Sequence, residues 1–472
     1  MTPEQQQGFY DNNPQARWLV LVSVCLVLFL AALTLSAVNI AVPAIARDLQ
    51  ADAVAVSWIP TALLWGTTVL LLPAGRVADI LGRKKVYLIG VSGFSLASVL
   101  VLAAATIEIL LLIRVLQGLA SALVFATGMA IISAVFANAN RGAALGITSS
   151  AVYLGLTCGP LAGGWLTEWL GWRSVFWAPV PFMLLAWLLA VRYIRGDWKS
   201  TTKARLDWKG SLIFAAWLSA VFIGMSGLPD PAHFGWIGLG AVLLVWFVKQ
   251  QEKAAHPLVR LSVLRENRVF FRSITASFLM YGANFPIIFL LSLYLQYIHQ
   301  MSPSVAGQLI LIQTGVMVVL APIAGRLSDR YEPRIIATLG CLCYSLGFGV
   351  LFWLDTDTPV ALIITALTLL GIGFGLFSTP NNNAAIGAVP ADRLSIATAL
   401  LNLSRTLGNM AGMAVVMMLF SWLLGNAEIT PEQYPALIWV TRLAVGLSCL
   451  YALVAGYYSL TRGRVHVRTR VE

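Results

Sequence analysis

From Trp18 almost to the C-terminus, runs of about 20 apolar residues follow one another with only short polar breaks. Each run is long enough to cross a hydrocarbon core of about 30 Å as a helix. Inside lipid every backbone amide must be paired within the protein, which leaves helices or a closed barrel. These runs are continuously apolar and do not alternate as barrel strands do. The expected fold class is therefore all-α integral membrane. The count is about 14 transmembrane helices, near 18–40, 56–74, 86–105, 108–131, 143–167, 174–193, 210–228, 233–249, 271–296, 304–324, 335–354, 360–380, 396–424 and 436–460. Only 11% of the residues are charged, against about 25% in an average soluble domain.

The formal charge of +11 does not point to nucleic acid, because its distribution follows the positive-inside rule. With the N-terminus placed in the cytoplasm, 26 of the 31 basic residues fall in cytoplasmic segments. Only Arg47 and Arg173 fall in outer loops, and Arg114, Arg405 and Arg442 lie inside spans. Missing one early span would collapse this partition, so it supports an even count with both termini cytoplasmic. The start, "MTPEQQQGFYDNNPQAR", lacks the pattern of a removable signal peptide. The five cysteines, Cys25, Cys158, Cys341, Cys343 and Cys449, sit in apolar segments and read as packing residues. The histidines, His233, His256, His299 and His466, fall at span ends or in loops with no metal-ligand spacing. No cofactor and no metal are expected.

Two copies of one pattern divide the chain. "GRVADILGRKK" begins at Gly75 and "GRLSDRYEPR" at Gly325, each between the second and third spans of a group. Their offset exceeds the length of six spans by enough for two more, and paired halves around a central site are a common transporter plan. The expected organisation is a cytoplasmic tail (1–17), a six-helix half (18–193), a basic linker (194–209) and two inserted helices (210–249). A second basic linker (250–270), a second six-helix half (271–460) and a basic tail (461–472) follow.

In the first copy, Gly75 and Gly82 suit a tight inner turn, Asp79 can cap a helix or pair with a guanidinium, and Arg76 and Arg83 supply charge. Such a clasp would hold the halves in one state and release them in another; a plain positive-inside loop is the simpler alternative. The second copy offers Gly325, Arg326 and Asp329. This pattern after the second span resembles the signature of the major facilitator superfamily, and the resemblance covers nearly the whole chain. Glu332-Pro333 departs from it where a glycine is common, which weakens the second clasp.

"LLIRVLQGLASA" places Arg114 and Gln117 three residues apart, on one helix face. A guanidinium in lipid must face protein or water, unless it snorkels to the headgroups. The stretch resembles a superfamily motif associated with proton transfer. "GLTCGPLAGG" strips side chains from one face at Gly155, Gly159, Gly163 and Gly164, with Pro160 to bend the helix. It resembles the antiporter motif of exporters. With 14 spans and "GWRSVFWAPVP" opening the sixth, the chain resembles the fourteen-spanner drug:proton antiporter branch.

That branch commonly carries an aspartate in its first span where this chain has Thr34. Threonine does not titrate in the physiological range. No other span supplies an acid near mid-membrane, and Glu108 and Glu168 sit at outer ends. Arg114, Gln117 and Glu168 are the proton-coupling candidates, with an outer structural cap as the alternative for Glu168. Candidates for a substrate cavity are Thr34, Asn39, Trp65, Tyr153, Tyr281, Asn284, Gln313, Asn381, Asn402 and Arg405, the last near mid-depth. Polar groups in an aromatic pocket suit a neutral or anionic amphipathic molecule, although each asparagine or tyrosine alone also serves as interhelical glue. The stretch "NLSRTLGNMAG" around Arg405 resembles a recurring stretch of the branch, which implies an architectural role as the alternative there. No enzyme reading survives: a phosphate-loop pattern is lacking. The expected activity is secondary transport, as proton-coupled efflux of multiple drugs or small amphipathic compounds. The alternative is a facilitator, anion exchanger or specific metabolite exporter that has lost the first-span proton site. The expected partners are a small-molecule substrate, protons and the bilayer, for a monomer.

Overall fold

The computed structural model describes residues 3–137, 140–199, 206–254, 257–259, 261–390, 394–425 and 427–463. Lys203, Arg205, His256, Arg260, Arg393, Arg464, His466, Arg468 and Arg470, all assigned above to loops or tails, lie outside them. Among the described residues 14 helices are long and apolar enough to span a membrane. They are α1 (Pro14–Asp48), α2 (Ala53–Leu81), α3 (Arg83–Ala103), α4 (Ile107–Val135), α5 (Arg141–Leu170), α6 (Ser174–Tyr193) and α7 (Trp208–Ser226). They continue as α8 (Pro231–Lys253), α9 (Arg268–Ile298), α10 (Pro303–Arg330), α11 (Pro333–Leu351), α12 (Val360–Gly387), α13 (Ile396–Leu423) and α14 (Pro431–Thr461).

Several helices outrun the apolar stretches that announce them, because caps and not hydropathy set their ends. Asp52 starts α2 by accepting the Ala55 amide at 2.7 Å, and Asn267 starts α9 through the Phe270 amide at 2.9 Å. Asp207 starts α7 through the Gly210 amide at 2.9 Å and also accepts from Gln250 and Gln251 at the end of α8. In α6 the regular helix breaks after Trp177 and resumes at Val180, around Pro179.

Lysine and arginine crowd one end of the bundle, at the α2–α3, α6–α7, α8–α9 and α10–α11 connections; this is the basic end. There a short helix, Pro3–Asn12, tucks Tyr10 against the start of the linker after α6. Its hydroxyl accepts the Arg195 amide at 2.7 Å, and its ring stacks on Trp198 at 6.3 Å. Burial pushes the Tyr10 phenol up to about 12.

Helix pairs in lipid gain little from the hydrophobic effect and rely on close packing. Gly118 shows the closeness: a methyl there would sit 2.2 Å from the Leu63 carbonyl oxygen, so α4 lies directly on α2. In this set α1 packs on α5 and α6, and α3 on α4. The later helices repeat the plan, with α9 on α13 and α14, α11 on α12 and α14, and α10 on α12. The two sets meet through α5 with α10 and through α2 with α13. Helix α7 leans on α2 and α13, and α8 packs chiefly on α7, turning Phe234, Val242 and Trp246 outward as a lipid-facing surface.

The α2–α3 connection turns on Gly82, whose φ of 102° belongs to a region L side chains rarely adopt. The expected tight turn is made there alone, since Gly75 and Gly325 lie inside α2 and α10. A methyl at Gly82 would also meet the Asp197 side chain at 2.9 Å, while the Arg83 amide donates to the Asp197 carbonyl at 2.7 Å. Gly82→Ala is therefore expected to cost about 1–3 kcal/mol, read as a lower midpoint of thermal unfolding in detergent. An unchanged midpoint would mean that the turn relaxes freely.

Candidate functional site: a cleft between the two helix sets

At the end of the bundle opposite the basic one, the sets are locked together. The glycine stretch of α5 works on two faces. Gly155, Gly159 and Gly163 face α1: a methyl at Gly159 would lie 2.5 Å from Ser36 Cβ, and one at Gly163 would lie 2.5 Å from the Ala37 carbonyl oxygen. Gly164, one residue on and so rotated by about 100°, faces α10, where a methyl would lie 2.4 Å from the Pro303 carbonyl oxygen. The fit is reciprocal, because a methyl at Gly307 would lie 2.3 Å from the Pro160 carbonyl oxygen.

Polar contacts reinforce this seal. The Glu168 carboxylate accepts the Ser304 amide at 3.0 Å, in the first turn of α10. Amides there have no partner within their own helix, and the helix dipole favours an anion beside them. Gln296 Nε2 donates to the Ile40 carbonyl at 2.9 Å, and the Ala53 amide donates to the Ala427 carbonyl at 3.1 Å. The Arg47 guanidinium lies 5.6 Å from the Tyr297 ring centre. Each of these contacts joins one set to the other.

Deeper in the bundle and toward the basic end, a polar cluster lies between the sets. Asn402 and Arg405 stand three residues apart on one face of α13; Asn402 is exposed and Arg405 half-buried. Arg405 donates to Asn382 on α12, and more weakly to Asn402 at 3.4 Å. Its guanidinium lies 5.2 Å from the Tyr281 ring centre on α9. Its Nε has no partner. Tyr153, from α5 of the other set, interacts with Arg405 and reaches the side chains of Tyr281, Ser378 and Asn382. A cation, two phenols, two amides and a hydroxyl thus converge from α5, α9, α12 and α13.

The remaining sequence candidates lie elsewhere. Thr34 is fully buried and its hydroxyl donates to the Leu30 carbonyl at 2.9 Å, one turn back in its own helix. Asn39 is buried, and its Oδ1 has no partner. Trp65 is half-buried against the apolar core. Asn284 accepts from Gln313 and from Tyr344, both at 2.7 Å, which makes a network inside the second set. Asn381 is sealed: it donates to Ser273 and Ser277 and accepts from Arg462 at 2.7 Å.

Arg114 and Gln117 are fully buried within the first set. Arg114 does not snorkel; it donates to the Ile59 carbonyl at 3.1 Å and to Gln117 at 2.7 Å, and lies 5.6 Å from the Phe176 ring centre. Gln117 passes the chain on to Ser98. In the basic-end motif, Arg83 reaches Asp79 at 3.5 Å and the Ala130 carbonyl at 3.3 Å, so it ties α2, α3 and α4 together. Pairs this exposed contribute at most about 1 kcal/mol. Arg76 is half-buried, while Arg326 and Asp329 are exposed.

Three participants were not singled out from sequence. Ser378 shares a face with Asn382 at the four-residue helical spacing, a signal that was present. Tyr344 gave none. Arg462, assigned to the basic tail, is fully buried and bonded to Asn381.

Two sets of six spanning helices with a polar cluster between them, and two further helices at their side, define a membrane transporter fold. Residues 24–413 match the profile of the Major Facilitator Superfamily, and the chain belongs to that family. It is 33% identical to the puromycin resistance protein pur8 of Streptomyces alboniger, over 88% of this chain and 84% of that protein. It is 28% identical to the riboflavin transporter RibZ of Clostridioides difficile (strain 630), over 83% and 86% respectively. Among solved structures, a peptide transporter POT in complex with sulfate superposes with a TM-score of 0.68 at 16% identity, over 94% of this chain and 96% of that one. That likeness is one of fold.

Proposed function

We propose that this protein exports small amphipathic molecules by alternating access, in a bacterial inner membrane with both termini and the basic end in the cytoplasm. The observation that carries this reading is a polar and aromatic cluster between the two sets, with the end opposite the basic one sealed by contacts between them. Substrate enters from the cytoplasm between α5, α9, α12 and α13. The helix sets then rock, the Gly164–Gly307 seam parts, and Glu168 leaves the amide of Ser304. The resistance relative at 33% identity supports an export direction, while the name of the riboflavin transporter carries no direction and keeps a specific transporter as the alternative.

Proton coupling through Arg114, Gln117 and Glu168 is the less favoured part of this reading. Arg114 and Gln117 are bonded within one set, and Glu168 is engaged in capping α10. The reading of a facilitator, anion exchanger or specific exporter gains from one observation: every aspartate and glutamate lies in the terminal turn of a spanning helix or outside it.

Everted membrane vesicles test the proposal. They are given cationic, neutral and anionic amphiphiles, with vesicles lacking the protein as control. Protein-dependent uptake of at least one class is expected. Uptake equal to the control for all three classes, with the protein present and monodisperse on extraction, would sink the export reading. Collapse of a preformed acid-inside gradient on adding the transported class would establish proton exchange.

A further inference from the structure

We infer that Arg405 makes the cleft a site for amphipathic anions, and that the membrane potential alone drives their export. The inference deepens the export reading and rests on it.

The argument starts from charge. A guanidinium near mid-depth in lipid is costly and is retained where it meets water, a partner charge or a ligand. Arg405 meets no acidic partner: every aspartate and glutamate of the sequence lies at a helix terminus or beyond, and no histidine lies deeper. Its protein partners are neutral. Asn382, Asn402 and Tyr153 each engage the guanidinium, Nε is buried without a partner, and the face of Tyr281 covers the plane. Arg405 is also half-buried beside the exposed Asn402, at the junction of the two sets.

A guanidinium held by neutral amides beside phenol hydroxyls suits a carboxylate, sulfonate or phosphate, through charge-assisted hydrogen bonds from its terminal nitrogens. The rings of Tyr153 and Tyr281 supply the apolar wall for the rest of the molecule. Tyr153 belongs to the opposite set from Arg405, so an anion held by both binds the sets together around itself. A lipophilic cation, by contrast, meets a like charge with no compensating acid.

The driving force follows. Export of a monovalent anion with no accompanying proton moves one negative charge outward. The interior of the cleft holds neither a carboxylate nor an imidazole to carry a proton along. A cell interior that is negative then drives the anion out with no separate coupling site, which removes the need for an acid at Thr34.

The test uses the purified full chain in phosphatidylcholine vesicles, with equal pH on both sides and a potential set by a potassium gradient and valinomycin. The probes are labelled naphthalene-2-sulfonate and the cation of the same ring system, 2-naphthyltrimethylammonium. The zwitterionic lipid removes anionic headgroups as competitors. An inside-positive potential of about 100 mV is expected to accumulate the sulfonate on the order of 50-fold, and reversing the potential to expel it. Arg405→Gln is expected to reduce that flux at least tenfold, Arg405→Lys to restore part of it, and Tyr153→Phe to reduce it less. All variants must elute as monodisperse protein.

Sulfonate uptake that follows a pH gradient and ignores the potential would overturn the inference. So would transport of the cation with exclusion of the sulfonate, or an undiminished flux in a folded Arg405→Gln. In each of those cases export itself stands. Movement of neither ion, joined to a negative result in everted vesicles, would remove the export reading as well.

Discussion

Gly164→Val leaves the protein folded but unable to close at the end opposite the basic one, whereas Gly163→Val prevents folding. These neighbours differ in what they face. A methyl at Gly163 would lie 2.5 Å from the Ala37 carbonyl oxygen and 2.7 Å from its Cα, on α1 of the same helix set. The α1–α5 contact is needed in every state of the cycle, and backbone atoms cannot move aside as the tip of a side chain can. A methyl at Gly164 would lie 2.4 Å from the Pro303 carbonyl oxygen, on the other set. That contact must open once per turnover, so a bulky residue there penalises one state and spares the other. Overpacking of this kind costs about 1–3 kcal/mol, which shifts a two-state balance by roughly 5- to 150-fold.

The readout is a cysteine at Asn402, exposed in the cleft, in a background with the five native cysteines replaced. In everted vesicles a membrane-impermeant maleimide should label Asn402→Cys readily. Adding Gly164→Val should slow labelling at least about fivefold, and Gly307→Val should do the same from the opposite face. Gly163→Val should instead appear as aggregate on size-exclusion chromatography. Equal labelling with and without Gly164→Val would mean that the seam does not gate the cleft.

The spanning helices were legible in the sequence because lipid permits so few alternatives: apolar length alone identifies them. Their ends were not, since a single cap such as Asp52 or Asn267 outweighs the hydropathy of a turn. The glycine stretch was legible as a seam, although spacing alone could not say that its last member turns to a different neighbour. At "NNN" the three asparagines diverge by about 100° per residue. Asn381 goes to Arg462, Asn382 to Arg405 and Asn383 to Ser328. The sequence places Asn381 among the cavity candidates, whereas the structure seals Asn381 and sets its neighbour Asn382 at the cluster. Arg462 was hidden for a different reason. A basic residue at a span end satisfies the positive-inside pattern whether it lies in water or is buried, and only the meeting of α9, α12 and α14 decides. The partner of Glu168 was equally out of reach, being a backbone amide 136 residues away on the opposite set.

Thr34→Asp is expected to destabilise the protein and to confer no proton-linked efflux of cations. The position invites that replacement, since an acid there is what the fourteen-span antiporter pattern leads one to expect. The environment opposes it. Thr34 is fully buried, and its hydroxyl acts as a donor toward the Leu30 carbonyl. An ionised aspartate would bring a second acceptor to that carbonyl and lose the donor. Burying it without a cationic partner costs on the order of 3 kcal/mol even after it takes up a proton. Thr34→Val keeps the shape and gives up only a bond to a carbonyl already within a helix, so it should be near neutral in thermal stability and in transport. The comparison is made on both variants, as unfolding midpoints in detergent and as proton release with ethidium in everted vesicles. Loss of stability in the aspartate variant alone, with no ethidium-dependent collapse of the gradient, fits a cleft whose working charge is the guanidinium of Arg405. Ethidium-driven proton movement in a stable Thr34→Asp protein would instead mean that one substitution restores coupling. The cleft would then have to accept a cation beside Arg405, and the anion assignment would fall with it.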